Sequence, residues 1–168
     1  RQLGLELQRA LPLAAAAIEP LANNLAAQYL AALGALALLD ARMAPPTSAF
    51  VVERTHEQRL SLGEHNPIDL RLSWRGRQPP GGMRGLRLWV RDEVPPGIPA
   101  DPELLEGVIL PGGEWVGRYH LRPTRRGDYA FGATYLRVET PLGLLIHQHS
   151  FPLSAPVRVY PNLRAVRR

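Results

Sequence analysis

The chain has 168 residues, an apolar fraction of 45% and a formal net charge of +5, and all of its basic residues are arginine. This length suits one domain with an appendage, and the apolar fraction argues against a disordered chain. The absence of cysteine excludes a disulfide scaffold and any thiolate metal site. The arginines are spread over the whole chain and form no single basic face interleaved with aromatics, so nucleic acid is not a predicted partner.

The N-terminal region is predicted to be helical. Residues 3–43 are rich in alanine and leucine, the composition that favours helix. Because the residue before a proline avoids the α conformation, Glu19-Pro20 is predicted to divide this run into two helices, Leu3–Ile18 and Leu21–Arg42. We therefore expect an α-helical hairpin over residues 1–46.

Two roles for this hairpin remain open. The segment Leu25–Leu39 is apolar apart from Gln28, although it is shorter than the roughly 20 residues of a membrane span. Arg1 and Arg9 at the start and Arg42 at the end would place both ends in the cytoplasm under the positive-inside rule. Alternatively, its leucine stripe would make it an amphipathic hairpin that lies on the rest of the protein or pairs with another copy.

From Ser48 onward the apolar period changes to two, which is typical of β-strands. The alternation is clearest between Ile68 and Arg75. Turn residues at Pro123–Asp128 and Thr140–Gly143 predict two hairpins in series. The further predicted strands are Phe50–Arg54, Arg59–Gly63, Leu86–Arg91, Val108–Leu110, Trp115–Leu121, Tyr129–Val138, Leu144–Phe151 and Pro156–Pro161. This pattern predicts a mainly β fold, an immunoglobulin-like antiparallel β-sandwich over residues 47–162.

Three other segments complete the predicted organisation. Gln78–Gly85 is predicted to be a loop, and Asp92–Pro102, with its repeated prolines, is predicted to be an irregular crossover between strands. The chain does not begin with methionine and has no closing element. We therefore expect it to be a piece of a longer protein, with residues 163–168 linking to a further C-terminal domain.

The only candidate metal ligands with suitable spacing are His147 and His149, which would point to one face of a strand. A transition-metal site would need a third ligand from another histidine or a distant carboxylate. An exposed histidine pair is the simpler interpretation. No phosphate loop, nucleophile elbow or paired catalytic carboxylate is present. We therefore predict no catalytic residue, no cofactor and no metal site.

Adjacent acids at the start of the crossover are predicted to be structural. Asp92 and Glu93 would face opposite sides of a strand, so they do not form a natural acid and base pair. Our hypothesis is that one of them accepts hydrogen bonds from Arg122 or Arg126 and so attaches the crossover to the central hairpin. The tripeptide Arg126-Gly127-Asp128 is of the type found in tight turns, because glycine allows a positive φ and aspartate can hydrogen-bond to the backbone.

Five motifs in order resemble one known family. They are Arg54 with Arg59–Glu64 and Asn66, then Asp92–Pro95, Tyr119–Tyr129, Thr140–Leu144 including Gly143, and Val157–Pro161. Together they resemble the bacterial domain-of-unknown-function family 58, membrane-associated proteins often encoded beside MoxR-type AAA+ ATPases. The resemblance covers residues 54–161. It implies two closely spaced transmembrane helices before the sandwich and a von Willebrand factor A-like domain after it, and it carries over no catalytic residue.

These observations support three hypotheses from different classes. The leading one is a non-enzymatic scaffold, tethered to the bacterial inner membrane with its sandwich in the cytoplasm, that partners a MoxR-type ATPase. The second is a freestanding module that binds a carbohydrate or a protein, which an exposed cluster of Trp74, Trp89 and Trp115 would favour. The third is a metal-dependent enzyme that uses His147 and His149.

Overall fold

The computed structural model describes residues 2–76 and 85–161 of the chain. Most of the predicted loop Gln78–Gly85 and the whole of the predicted linker at 163–168 lie outside the described residues. The predicted domain boundary at residue 46 and the further C-terminal domain stay predictions.

The first of two compact units, residues 1–42, consists of one helix, α1 (Gln2–Met43). The predicted helical hairpin is therefore wrong, because Glu19-Pro20 lies inside a continuous helix. A proline in a helix interior costs about 3 kcal/mol, since it removes one hydrogen bond and crowds the preceding turn. The alanine and leucine residues on both sides favour helix, and the helix continues through the proline.

One segment of α1 has the length and composition of a membrane span. Ala22–Met43 comprises 22 residues with a mean hydropathy of 1.3. At 1.5 Å per residue it is about 33 Å long, close to the thickness of a hydrocarbon core. The same pattern is typical of a signal sequence. A single continuous helix does not return the chain to its starting side, so the geometric basis for placing both ends in the cytoplasm is lost.

The second compact unit, residues 43–168, is mainly β. A short 3₁₀ helix, Thr47–Ala49, leads into the first strand. The described strands are β1 (Phe50–Thr55), β2 (Arg59–Ser61), β3 (Asn66–Trp74), β4 (Leu86–Asp92), β5 (Ala100–Asp101), β6 (Leu105–Ile109), β7 (Glu114–Leu121), β8 (Gly127–Phe131), β9 (Thr134–Glu139), β10 (Ile146–Phe151) and β11 (Ala155–Tyr160).

These strands form two four-stranded antiparallel sheets and a smaller third sheet. The order is β1-β3-β7-β5 in the first sheet and β10-β9-β4-β6 in the second. The third sheet has the order β2-β11-β8, and its β2–β11 pair is parallel. The predicted antiparallel pairing is confirmed for the two large sheets, and the β2–β11 pair departs from it. Side chains from all three sheets share one hydrophobic core, so the sheets form a sandwich.

Alternation along each strand explains this core. In β3 the odd-and-even pattern predicted from Ile68 onward is confirmed, because Ile68, Leu70, Leu72 and Trp74 are all buried. A buried apolar side chain contributes about 1.5–3 kcal/mol relative to an exposed one, so one strand in this register supplies several kcal/mol. A shift by one residue would expose all four side chains.

The predicted single strand Tyr129–Val138 is in fact two strands in different sheets. β8 and β9 are separated at Gly132-Ala133, where the chain passes from the third sheet to the second. The predicted hairpin between Trp115–Leu121 and this segment is also wrong, because β7 pairs with β3 and β5. The second predicted hairpin, which joins β9 to β10, is confirmed. Turn chemistry marks where a chain bends, but it does not determine which sheet the next strand joins.

Candidate functional site

The outer face of the second sheet carries aromatic and cationic side chains. On β4, Leu88 and Val90 enter the core, so the alternating residues Trp89 and Arg91 point outward. On the neighbouring strand β9 the same alternation places Tyr135 and Arg137 outward. The strands that build the core therefore also create this second surface.

The register of the two strands arranges these four side chains as a square. Trp89 lies opposite Arg137, and Arg91 lies opposite Tyr135. Directly opposed residues of an antiparallel pair have Cβ atoms about 4.5–5.5 Å apart, which is close enough for the side chains to interact. Each aromatic ring therefore has an arginine on the adjacent strand.

The square forms the floor of a groove of about 860 Å³. The edge strand β10 supplies one side through Ile146 and Gln148, and Arg137 Nε donates a hydrogen bond to Gln148 Oε1 at 3.0 Å. The crossover after β4 supplies the other side, with the residues Glu93, Val94, Glu103 and Leu104. This volume lies within the range of pockets that hold small ligands or anchor side chains.

Charge in the groove is mixed. The floor presents the guanidinium groups of Arg91 and Arg137, and the crossover side presents the carboxylates of Glu93 and Glu103. Beside the groove, on the same face of β4, the guanidinium of Arg87 lies 5.5 Å from the centre of the Trp89 ring, and its Nε lies 3.9 Å from a carboxylate oxygen of Glu139. Planar cations over an aromatic face form cation–π contacts, which hold the indole in place.

A buried ion pair supports the groove from below. Asp92, the last residue of β4, accepts hydrogen bonds from Arg54 Nε at 2.8 Å and from Thr134 Oγ1 at 2.7 Å. The hydroxyl of Tyr119 also donates to this carboxylate. The side chains of Arg54 and Asp92 are each only 3% exposed. The cluster therefore ties strands of both large sheets together beneath the point where the crossover leaves β4.

Every guanidinium nitrogen of Arg54 has a hydrogen-bond partner. Its guanidinium donates to the carbonyl groups of Gly132 and Leu153 and lies 4.5 Å from the centre of the Phe131 ring. Burial and the neighbouring Asp92 carboxylate raise the pKa of Tyr119 far above its ordinary value, so the phenol stays protonated. Removing one partner of such a buried, hydrogen-bonded pair would leave an uncompensated charge, so the pair has a structural role.

The structure places the predicted acids differently from the hypothesis. Asp92 takes its hydrogen bonds from Arg54, Tyr119 and Thr134, so the predicted partners Arg122 and Arg126 are wrong for this carboxylate. These partners come from three other strands, and a sequence offers no local signal for such a contact.

Glu93 holds the point at which the chain changes sheets. Its backbone N–H donates to the carbonyl of Ala133, and its own carbonyl accepts from Gly132. Its carboxylate accepts from the N–H of Ala133 at 3.0 Å. A Cβ at Gly132 would meet the end of the Glu93 side chain, so a larger residue there would displace this carboxylate. Glu93 thus closes the gap between β8 and β9.

The other predicted residues lie in exposed turns away from the groove. Arg122 Nε donates to the carbonyl of Gly63 at 3.2 Å, while Arg126 lies exposed in the turn between β7 and β8. Gly127 begins β8, and Gly143 takes a positive φ of 75° in the hairpin between β9 and β10. These residues shape turns, and the structure does not bring them to one site.

The two histidines of β10 do share a face, as alternation predicts, and they point toward the sandwich interior. His149 is buried, and its Nδ1 lies 2.7 Å from Thr47 Oγ1. Burial, and then the neighbouring His147, lower the pKa of His149. Within residues 2–76 and 85–161, no group of three or more histidine, cysteine, aspartate or glutamate side chains is placed to hold a metal ion. A two-histidine pair falls short of the ligand set of a typical site.

The three tryptophans do not form one exposed cluster. Trp74 is 2% exposed, and Trp115 is partly buried against the core of the first sheet. Only Trp89 lines the groove. Sequence reasoning assigned Trp89 and Arg91 to a strand but missed the groove, because its other half comes from β9. The available signal was the outward alternation of large aromatic and arginine residues on both strands.

Comparisons with known proteins give no family for this chain. No protein-family model matches it, and no curated protein matches it. Among solved structures, it is similar to the CARDB domain of a Pyrococcus furiosus protein in complex with di-metal ions (15% identity, 66% of this chain and 87% of that chain, TM-score 0.39). It is also similar to a PapD-like domain of human CEP192 (17% identity, 70% of this chain and 90% of that chain, TM-score 0.42). A third similar structure is a cohesin module of a Clostridium perfringens family 33 glycoside hydrolase (12% identity, 68% of this chain and 98% of that chain, TM-score 0.38). At such low sequence identities and TM-scores, these likenesses concern the fold alone.

Proposed function

We propose that this protein is a non-enzymatic interaction module that binds a segment of a partner protein in the groove on the outer face of β4, β9 and β10. The observation that carries the proposal is the square of Trp89, Arg91, Tyr135 and Arg137 on the groove floor. Tryptophan, tyrosine and arginine are the residues that dominate binding energy at protein interfaces, especially when they cluster at the centre of a contact.

The surroundings of this square also fit a protein segment. Leu104 and Ile146 provide apolar surface on opposite sides of the groove, with exposures of 46% and 59%. Glu93 and Glu103 provide acceptors for polar or cationic groups of a ligand. The edge of the sheet at β10 runs beside the groove, and an edge strand offers backbone groups to which an extended peptide can pair.

The proposed setting of this module is the cytoplasmic side of a bacterial inner membrane. The segment Ala22–Met43 supports a membrane tether by its length and hydropathy. Arg42, Arg54 and Arg59 follow or close that segment, and a positive charge excess on this side favours the cytoplasm. The five family-58 motifs support an immunoglobulin-like sandwich, a MoxR-type AAA+ ATPase as the partner and a following von Willebrand factor A-like domain.

A freestanding carbohydrate-binding module is the second candidate. Trp89 and Tyr135 on the groove floor favour it, because aromatic faces pack against sugar rings and arginine, glutamate and glutamine side chains can hydrogen-bond to hydroxyl groups. The separation of the three tryptophans favours the protein ligand, since a sugar platform uses several exposed rings on one face.

Binding measurements on matched variants test the groove. The full chain in detergent is selected against a phage-displayed library of random linear peptides, and in parallel against a glycan array and a purified MoxR-type ATPase. Loss of a central aromatic or arginine side chain costs about 2 kcal/mol or more at a hot spot, which is roughly a 30-fold weaker Kd. We expect this loss for Trp89→Ala and for Arg137→Ala.

Arg118→Ala is the matched control, because Arg118 is an exposed arginine on the outer face of the other large sheet. It should bind like the unaltered protein. Peptides that bind Trp89→Ala as tightly as the unaltered protein would contradict the groove. Glycan binding without peptide binding would favour the second candidate, and peptide binding without ATPase binding would remove the proposed partner while leaving the groove in place.

A further inference from the structure

Exposed apolar side chains concentrate at the tip of the hairpin between β9 and β10. Leu142, Leu144 and Leu145 are 44%, 48% and 37% exposed. The segment Thr140–Leu145 contains no charged residue. Contiguous exposed apolar residues on a soluble domain mark a surface that meets a protein or a membrane. We call residues 140–145 the apolar tip.

The apolar tip is held in one conformation by its own hydrogen bonds. The hydroxyl of the buried Thr140 donates to the carbonyl of Leu145 at 2.8 Å and accepts from its N–H at 2.9 Å. The backbone N–H of Gly143 donates to the carbonyl of Thr140 at 2.8 Å, and Gly143 takes a positive φ that favours glycine. The leucines therefore lie on a turn of fixed conformation, and little conformational entropy would be lost when they bind a protein or enter a membrane.

The tip lies at the end of the sandwich where the chain enters it. β1 begins at Phe50, which pairs with Trp74, and the N–H of Trp74 donates to the carbonyl of Gly113 in the turn after β6. β4 begins at this end too, and β9 ends here because it runs antiparallel to β4. Leu110, 59% exposed, lies beside that same turn and adds apolar surface to this end.

We propose that the apolar tip inserts into the headgroup and upper acyl region of the bilayer to which the protein is tethered. This inference rests on the membrane tether of the proposed function. The connection from Met43 to Phe50 is seven residues long and spans at most about 25 Å, so a bilayer that holds Ala22–Met43 lies within reach of this end. Apolar groups of membrane-bound segments typically enter the boundary by about 5–10 Å, which matches a single turn.

Charge around the tip agrees with a lipid surface. The exposed arginines Arg75 and Arg87 lie at the same end of the sandwich, where they can contact anionic headgroups, and the exposed Glu114 at the start of β7 also lies there. The nearest acid along the chain, Glu139, lies 3.9 Å from Arg87. A second copy is the weaker occupant, because a stable protein interface buries about 800 Å² on each partner, more than one turn with three apolar side chains provides.

Site-specific fluorescence tests the proposal, and the absence of cysteine allows clean labelling. The full chain carrying Leu144→Cys is labelled with an environment-sensitive dye and reconstituted into vesicles of phosphatidylcholine and phosphatidylglycerol. A matching set of vesicles contains a lipid with a nitroxide quencher near the glycerol end of its acyl chain. Arg125→Cys, in the turn between β7 and β8 at the opposite end, is the control, and Leu142→Cys provides a second tip position.

Insertion predicts roughly threefold stronger quenching at both tip positions than at residue 125, with a blue-shifted emission, as expected for a probe at the boundary depth. Equal quenching at the tip and control positions, in vesicles that carry the protein through flotation, overturns the proposal while leaving the tether intact. Protein that fails to float with the vesicles overturns the tether and the proposal with it. If the emission shifts to the blue without quenching, and this shift grows with the protein-to-lipid ratio, the tip contacts a second copy and the proposal is overturned.

Discussion

Removing Asp92 should be the most damaging single change in the buried centre of the sandwich. Asp92→Ala deletes the acceptor for Arg54, Tyr119 and Thr134, and it leaves a guanidinium that is 3% exposed without its counter-ion. Breaking a buried ion pair from one side costs about 3–5 kcal/mol, because the remaining charge is neither paired nor hydrated. Domains of this size are stable by about 5–15 kcal/mol, so the change removes a large fraction of the total.

The cost can be measured by urea unfolding followed through tryptophan fluorescence. All three tryptophans lie in the sandwich, so their emission reports on this unit and not on α1. The matched control is Asp69→Ala, which breaks the exposed pair of Asp69 with Arg118, where the side chains are 33% and 62% exposed. Exposed pairs contribute about 0–1 kcal/mol, because water screens both charges.

Two further variants separate the ion pair from simple loss of packing. Arg54→Met combined with Asp92→Leu removes both charges, and it should recover part of the stability lost in Asp92→Ala. A double-mutant cycle between Asp92 and Arg126 should show no coupling, since Arg126 lies in a distant exposed turn. If Asp92→Ala costs no more than Asp69→Ala, the buried pair does not stabilise the fold in the way its geometry indicates.

Three other predictions concern single side chains. The pKa of His149 is lowered, so its contribution to stability is present above pH 6.5 and is lost as the pH falls and the unfolded chain takes up a proton. The free energy of unfolding in urea should therefore decrease as the pH falls below 6.5, and this decrease should be smaller in His149→Gln. The pKa of Tyr119 is raised, so its contribution is present below pH 10.0 and is lost as the pH rises further; the free energy of unfolding should therefore fall less steeply above pH 10.0 in Tyr119→Phe than in the unaltered protein, and an equal slope would contradict the assignment. Gly143→Ala should destabilise the sandwich by about 1–2 kcal/mol in the same assay, because alanine is strained at a φ of +75°, and a stability equal to that of the unaltered protein would count against the turn geometry.

Local patterns explain which features could be predicted from the sequence. The alternation from Ile68 to Trp74 and from Leu86 to Val90 depends only on the two-residue period of a strand, and the turn at Thr140–Gly143 depends on residues within four positions of each other. The helical composition of α1 is also local. The predicted break at Pro20 was wrong because the tendency of proline to end a helix is outweighed by the helix-favouring alanine and leucine residues on both sides.

Strand partnership could not be predicted in the same way. Arg54 and Asp92 are 38 positions apart, and their contact arises only when β1 and β4 approach from different sheets. The groove likewise needs β9 beside β4 in one register, since a shift by one residue would turn Tyr135 and Arg137 inward.

By itself the amino-acid sequence determined that the chain would form a long apolar helix region and a mainly β unit with no catalytic motif, because helix propensity, alternation and turn chemistry act between near neighbours. Only the tertiary structure decided that the helix runs unbroken, that Asp92 binds Arg54, and that Trp89 shares a groove with Tyr135. Those outcomes depend on which distant strands pair, and that choice is made by the free energy of the whole core.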